Sequence, residues 1–323
     1  MRVPCCGRSR GRGSVRTSWE HAPVKDFGLI RRVHLTSSQR FVVLTLLPAS
    51  LYLLAFQLTP LLYAAYISVH EFSPWAPSHN FVGFENYVQF FSDPNARTAL
   101  FNSTLYIMAV VPCSFVLGFA LALLLNRDFP GKMAIRALLL LPLVISPIVA
   151  GTAWAFIFND QYGFANYVLR VVKLPTFVWL ADPVLAFWVI IIVGIWITTP
   201  FFFIVLFAGL QSLPVAPYEA AMIDGASARQ TLRYVTIPLL SPVIALSVIL
   251  MTLEALRVYD TVYLLTYGGP GRATEVLSIL AYKESFQFYH MGYGASISNV
   301  TAIIGIAVGV LFLRVLRRQT GRE

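Results

Sequence analysis

The stretch PVLAFWVIIIVGIWITTPFFFIVLFAGLQSLPVAPY, residues 183–218, contains no Asp, Glu, Lys or Arg. A helix rises 1.5 Å per residue, so about 20 apolar residues cross a hydrocarbon core of ~30 Å. This stretch does so with length to spare. In lipid the backbone must satisfy its own hydrogen bonds, and a continuous apolar run without period-two alternation does that as a helix, not a barrel strand. Five further charge-free stretches reach 20 residues: Phe41–His70, Thr98–Asn126, Ala137–Asn159, Tyr234–Leu253 and Ser285–Leu313. The first is expected to be a span and not a cleaved leader, because it is too long and ends without a small-residue cleavage site. The expected fold is an all-α polytopic membrane protein of six transmembrane helices, near 41–69, 101–125, 137–158, 184–211, 236–256 and 295–313.

Composition agrees. Of 323 residues, 57% are hydrophobic and 12% charged, with a mean hydropathy of +0.70. Soluble domains are about a quarter charged, so an ordinary cytosolic enzyme and a disordered regulator are excluded. Cys5 and Cys6 lie in a polar tail and Cys113 in an apolar run. They make no disulfide framework and have no metal spacing. The five histidines, at 21, 34, 70, 79 and 290, are scattered, so no metal site is expected.

The net charge of +9 is read by position. With the N-terminus inside, segments 1–40, 127–136, 219–233 and 314–323 hold 18 of the 24 Lys and Arg. The outside loops hold Arg97, Arg170, Lys173, Arg257, Arg272 and Lys283. Basic residues favour the cytoplasm, which predicts N-in/C-in. The charge is then +12 inside and −3 outside, and the basic excess requires no nucleic acid. Residues 1–40 read as a disordered basic cytoplasmic tail, 41–316 as the membrane domain and 317–323 as a second cytoplasmic tail.

The loop 212–238 has more pattern than a connector needs. Pro217 suits a first helical turn, Glu219 the positive end of the helix dipole, and Gly225 a left-handed stop. Ser227 with Gln230 fits a capping box for a second helix. Physics alone leaves two readings open, a plain helical connector and a low-relief knob for a partner's groove.

Glu219-Ala220-Ala221, three residues, Gly225, nine residues and Val235-Thr236-Ile237-Pro238 resemble the EAA signature of permease subunits in binding-protein-dependent ABC importers. The family pattern ends in Ile-x-Leu-Pro, and Val-x-Ile-Pro is a conservative departure. The resemblance implies that this loop forms a coupling helix docking in a cleft of a cytoplasmic ATPase, with Glu219, Ala220, Ala221, Asp224 and Gly225 at its core. A second resemblance covers Tyr259–Pro270, Ala273-Thr274-Glu275, Tyr282, Phe286 and Gly292-Tyr293-Gly294-Ala295-Ser296, with Phe81-Val82-Gly83-Phe84-Glu85-Asn86-Tyr87 after the first span. These are similar to carbohydrate-importer permeases of the maltose-transporter type, first subunit of the pair. That likeness implies a homologous second permease, two ATPase subunits holding ATP and Mg, an extracytoplasmic solute-binding protein and a bacterial or archaeal plasma (inner) membrane. It implies a sugar substrate and no cofactor bound by this chain.

No phosphate-binding GxxxxGK[ST] motif and no Ser/His/Asp constellation occurs, so no catalytic set is expected. No Asp or Glu lies mid-span, which disfavours a proton- or sodium-coupled secondary carrier. Sugar sites combine aromatic faces with a few polar groups. Among Trp188, Trp196, Thr198, Thr199, Tyr259 and Asn299, the chosen substrate-path candidates are Trp196, Thr199, Tyr259 and Asn299, with plain packing as the alternative for each. Thr266 with Gly268-Gly269-Pro270 reads as a tight outside turn, with sugar contact as the sharper reading. Glu254, Arg257 and Asp260 share one helical face by spacing, as an interface ion cluster or a solute contact. Uptake of glycerol 3-phosphate or glycerophosphodiesters is the alternative within the family, and Arg257 is the candidate cation for it.

Overall fold

The computed structural model describes residues 37–75 and 80–320. Cys5, Cys6, His79 and most of the basic tail lie outside these residues. The chain forms two units, Met1–Ala55 and Phe56–Glu323. The described part of the first is α1 (Ser37–Leu53) and the opening of a π-type turn, Leu54–Leu58. Helix therefore begins inside the stretch read as tail.

The second unit continues with α2 (Thr59–Ile67) and a minimal antiparallel pair, β1 (His70–Glu71) and β2 (Asn80–Phe81), in the register His70 to Phe81 and Glu71 to Asn80. α3 (Glu85–Ser92) then leads to α4 (Pro94–Leu125). Asp93 starts α4: its side chain accepts from the Asn95 N–H at 2.8 Å, and Pro94 supplies the first helical φ. The same Asp-Pro device starts α8 (Pro183–Gln211), where Asp182 accepts from Val184 and Leu185, each at 2.9 Å. Between them lie α5 (Lys132–Val144), α6 (Pro147–Ile157) and α7 (Phe164–Val171). After α8 come α9 (Ala216–Ile223), α10 (Ala228–Thr231), α11 (Ile237–Leu256), α12 (Asp260–Leu265), α13 (Leu277–Tyr282) and α14 (Met291–Thr320).

Among the described residues five helical stretches are long and apolar enough to span: Leu44–Ile67, Pro94–Leu125, Pro183–Gln211, Ala228–Leu256 and Met291–Arg314. A sixth arises if α5 and α6 count as one span, but they meet at 101°. The rod expected over 137–158 is therefore broken. Ile145 and Ser146 are extended, with ψ of 132° and 136°, because the residue before Pro147 is pushed out of the helical region. Two further differences are of length: α4 begins seven residues before the expected span, and α14 remains helical to Thr320, into the stretch read as a tail.

α4 and α8 make the most extensive helix pair. A Cβ at Gly118 would lie 2.6 Å from Phe202 Cβ and 2.9 Å from the Phe203 backbone nitrogen, so only glycine permits this approach. Around it Val110, Leu125, Ile190, Phe202 and Leu206 are buried. A smaller core joins α3, α4, α13 and α14 through Phe90, Ala99, Leu280 and Ile297.

Gly118→Ala should lower stability by about 1–3 kcal/mol, because the backbone of α8 must move to admit the methyl group. Gly309→Ala, where nothing lies within 4 Å of the added carbon, is the control. Thermal unfolding of the purified protein in detergent, followed by tryptophan fluorescence, should separate the two.

Candidate functional site

The loop after α8 is set by local chemistry. Pro217 occupies the first turn of α9, and Glu219 lies near its N-terminus. Gly225, with φ +70°, ends the helix. The Gly225 N–H donates to Met222 O at 3.1 Å and the Ala226 N–H to Ala221 O at 2.9 Å, the paired bonds of a Schellman stop. Ser227 and Gln230 form the capping box: Gln230 Oε1 accepts the Ser227 N–H at 2.8 Å. Glu219, Ala220, Asp224 and Gly225 are exposed and Ala221 is half-buried. Met222 and Ile223 project beside them, 78% and 86% exposed.

The second helix of the loop differs from expectation. It is not a separate piece, because α10 continues through a π-type turn, Leu232–Thr236, into α11, giving one helix over Ala228–Leu256. Pro238 explains the turn. Proline has no N–H and crowds the preceding carbonyls, and the ladder widens there so that the Ile237 N–H reaches Leu232 O. The turn also receives a tie from α9: the Tyr218 hydroxyl donates to Thr236 Oγ1 at 3.1 Å, and Thr236 is buried.

A lateral cavity of about 1130 Å³ opens between α11, α13 and α14. Its lining combines Tyr259, Tyr282 and Phe286, the hydroxyls of Ser278, Ser285, Ser298 and Thr301, the charged pair Glu254 and Arg257, and an apolar majority that includes Leu250, Leu253 and Leu313. The aromatic residues form a continuous cluster. Tyr259 stacks on Tyr263 at 5.1 Å and meets Tyr282 edge-on at 5.3 Å, and Tyr282 contacts Phe286 at 5.6 Å. Burial, then the neighbouring Tyr282 and Tyr263, push the Tyr259 phenol above its ordinary pKa, so it is a neutral donor. Ser298 and Thr301 donate to Gly294 O and Ile297 O in their own helix, which leaves their oxygens free to accept.

A smaller space of about 180 Å³ touches Tyr106, Thr198, Glu254, Arg257, Tyr259 and Asp260. Glu254 and Arg257 pair at 2.6 Å, with side chains 64% and 71% exposed. Asp260 does not extend their face, since α11 ends at Leu256 and Asp260 opens α12.

Of the four substrate-path candidates, Tyr259 alone lines these two cavities. Trp196 packs edge-on against Trp154 at 5.4 Å. Thr199 is buried and bonds Ile195 O. The Asn299 amide donates to the Tyr87 hydroxyl at 3.2 Å and to Ala64 O at 3.5 Å, fastening α14 to α2 and α3. Trp188 is largely exposed on α8. Thr266 and Gly268-Gly269-Pro270 close on themselves: Thr266 Oγ1 lies 2.7 Å from Thr274 Oγ1, and the Thr274 hydroxyl donates to Gly269 O at 2.6 Å. Behind this turn Glu275, 1% exposed, sits between Lys283 Nζ at 3.2 Å and Arg272 Nε at 3.5 Å. The hydroxyls of α14 had escaped sequence reasoning. Their signal is the small-residue stripe Ser298, Ala302, Gly305 and Gly309, which opens the groove.

Five long apolar helices and one bent helix pair among the described residues define a polytopic membrane protein. Residues 114–321 match the family described as "Binding-protein-dependent transport system inner membrane component", and the chain belongs to that family. It is 36% identical over 277 residues to the trehalose/maltose transport system permease protein MalF of Thermococcus litoralis, covering 85% of this chain and 92% of that one. It is 33% identical over 280 residues to the sulfoquinovosyl glycerol transport system permease protein SmoG of Agrobacterium fabrum, covering 86% and 90%. Its fold is similar to a chain in the crystal structure of a bacterial alginate ABC transporter in complex with an alginate pentasaccharide-bound periplasmic protein. The TM-score is 0.77 at 21% identity, over 87% of this chain and 95% of that chain.

Tyr218→Phe should speed amide hydrogen exchange across 216–236 roughly two- to tenfold, the worth of one hydrogen bond of about 0.5–1.5 kcal/mol. Exchange in α4 and α8 should not change. Mass-spectrometric hydrogen exchange on the detergent-solubilised protein measures both.

Proposed function

We propose that the chain is the first permease of a pair in an ATP-driven importer that translocates a sugar, of the oligosaccharide, disaccharide or polyol class. The observation that carries this reading is the likeness to the Thermococcus litoralis permease, which extends over 85% of the chain. The cavity chemistry supports it. Aromatic rings and hydroxyls with a spare acceptor suit a solute rich in hydroxyl groups. The second reading, a glycerol 3-phosphate or glycerophosphodiester, needs cationic contacts; Arg257 lines both cavities, and the Glu254 carboxylate beside it offsets its charge.

In this reading the protein crosses a bacterial or archaeal plasma (inner) membrane six times, α5 and α6 together forming the third crossing, with both termini inside. A solute-binding protein delivers sugar from outside. A homologous second permease completes the path, and two cytoplasmic ATPase subunits hold ATP and Mg; this chain binds no cofactor. Glu219, Ala220, Ala221, Asp224 and Gly225 form the docking core of α9. ATP closes the ATPase dimer, α9 follows, and the Tyr218–Thr236 bond passes the movement to the base of α11, one wall of the cavity. Alternation then requires that the docking energy differ between the inward and outward states.

A Cβ at Gly225 meets nothing within 4 Å, so its substitution cost inside this chain is the left-handed backbone alone. Gly225→Ala and Gly225→Trp share that cost. Gly225→Trp and Glu219→Lys should lose ATPase co-purification and transport, whereas Gly225→Ala should keep most of both. Full transport with retained ATPase in Gly225→Trp and Glu219→Lys rejects the docking core.

Tyr282→Ala should lower the maximal uptake rate roughly tenfold, the worth of one aromatic contact of up to about 1.5 kcal/mol. Solute affinity of the binding protein should stay unchanged. Radiolabelled uptake into proteoliposomes measures the first and calorimetry the second.

A further inference from the structure

α7 takes no part in the site described above. One side of it packs on the protein through Ala165, Asn166 and Leu169. The opposite side presents Phe164, Tyr167, Val168 and Val171 at i, i+3, i+4 and i+7, each between 41% and 64% exposed. The Phe164 and Tyr167 rings stack along it at 6.4 Å. Cations border this stripe: Arg170 in the last turn and Lys173 just beyond it, both exposed. Lys173 has φ +59°, a conformation that favours glycine, so the helix stop keeps a charged side chain at a strained position.

The helix cannot lift away from the ends of the spans. Asn166, 1% exposed, spends its whole amide on the two arms of the loop. Its Nδ2 donates to Asp160 O at 2.9 Å and Phe177 O at 2.8 Å, and its Oδ1 accepts from the Phe177 N–H at 3.1 Å and Trp179 Nε1 at 2.9 Å. Trp179 in turn meets Phe158, the residue that ends α6, at 5.5 Å. The apolar stripe is therefore held beside the C-terminal end of α6 and the loop arm that leads into α8. Between the two helices the exposed Tyr162 ring contacts Phe156, also exposed, at 6.2 Å.

We propose that α7 is an interfacial helix seated on the bilayer surface, its apolar stripe among acyl chains and Arg170 and Lys173 on anionic lipid headgroups. An eight-residue helix is about 12 Å long, so the stripe by itself falls short of the ~800 Å² per partner of a stable protein interface. An aromatic and aliphatic stripe edged by cations matches the headgroup boundary in both polarity and charge. The inference requires membrane insertion, and it depends neither on the solute carried nor on the ATPase.

The test uses the full chain with its co-purifying subunits, carrying Cys5→Ser, Cys6→Ser and Cys113→Ser. Nitroxide labels are placed singly at Val168→Cys, Val171→Cys and Lys173→Cys. In vesicles of phosphatidylcholine and phosphatidylglycerol at 3:1, labels at 168 and 171 should collide readily with oxygen and poorly with a water-soluble nickel chelate, and the label at 173 the reverse. Nickel collisions at 168 and 171 equal to those at 173 overturn the proposal, as water then covers the stripe. Low collision with both reagents also overturns it, because a protein then covers it. Omitting phosphatidylglycerol should make the 168 label shallower, and Arg170→Gln with Lys173→Gln should abolish that dependence. Persistence of the dependence in the double variant overturns the headgroup contact.

Discussion

The close approach of α4 and α8 at Gly118 is the contact on which the other positions depend. A methyl group there would part α4 and α8, the most extensively packed helix pair, and each carries further structure at its ends. At one end of α4, Asn102 donates to Ala273 O at 3.0 Å and Glu275 O at 2.9 Å, and Ser103 accepts the Leu277 N–H at 2.9 Å. These bonds fix the start of α13, a wall of the large cavity. At the other end, Arg136 Nη2 donates to Leu125 O at 2.6 Å while its guanidinium lies 4.2 Å from the centre of the Phe207 ring. One cation thus caps the C-terminus of α4 and packs on α8. α8 then delivers the chain to α9. The cavity wall and the exposed knob, at opposite ends of the chain's path through the bundle, refer to the same helix pair.

What the sequence made legible was local, and what it hid was long-range. Asp93-Pro94 and Asp182-Pro183 announce helix starts, and Gly225 with Ser227 and Gln230 announces a stop and a restart, because each device is completed within a few residues. The bend between α5 and α6 was invisible to a search for charge-free length, although Ser146-Pro147 carried it. Asn299 shows the harder limit. A polar side chain in an apolar helix can face a solute or satisfy a distant partner, and its partner is Tyr87, 212 positions away. Trp196 is similar, its place being decided by Trp154 on another helix. Spacing along one helix cannot choose between these outcomes.

Two of the motifs that carried the family resemblance, 81–87 and 292–296, prove to be one another's partners. Asn86 donates to Ser68 O at 2.9 Å and His70 O at 3.1 Å, and the Tyr87 hydroxyl lies 2.8 Å from Ser68 Oγ. Gly292 sits so close to that hairpin that a Cβ would lie 2.1 Å from His70 O. Tyr293 donates to Asp93 at 2.9 Å, and the Ser296 hydroxyl reaches Asn86 O at 3.4 Å. Residues 81–87 and 292–296 are thus halves of a single joint between α2, α3 and α14. Their residue types follow from filling and bonding that joint, which separates them from residues that meet a solute.

The polar bonds are unevenly distributed, and the asymmetry bears on motion. The joint at α3 and α14, the turn at 266–276 and the Asn102 clamp gather many buried hydrogen bonds at one end of the bundle. α9, at the other end of α8, has mostly exposed side chains and, among the described residues, one side-chain tie, Tyr218 to Thr236. A segment with few buried contacts opens at low free energy, and a densely bonded one moves as a body. Under the proposed coupling, work applied at α9 reaches α11 through its widened base while the far joint holds. The hinge best suited to absorb it is the π-type turn over Leu232–Thr236, because a ladder already relaxed around Pro238 changes register at less cost than a regular one. The residues that shape that hinge, Tyr218, Thr236 and Pro238, flank the exposed knob instead of forming it.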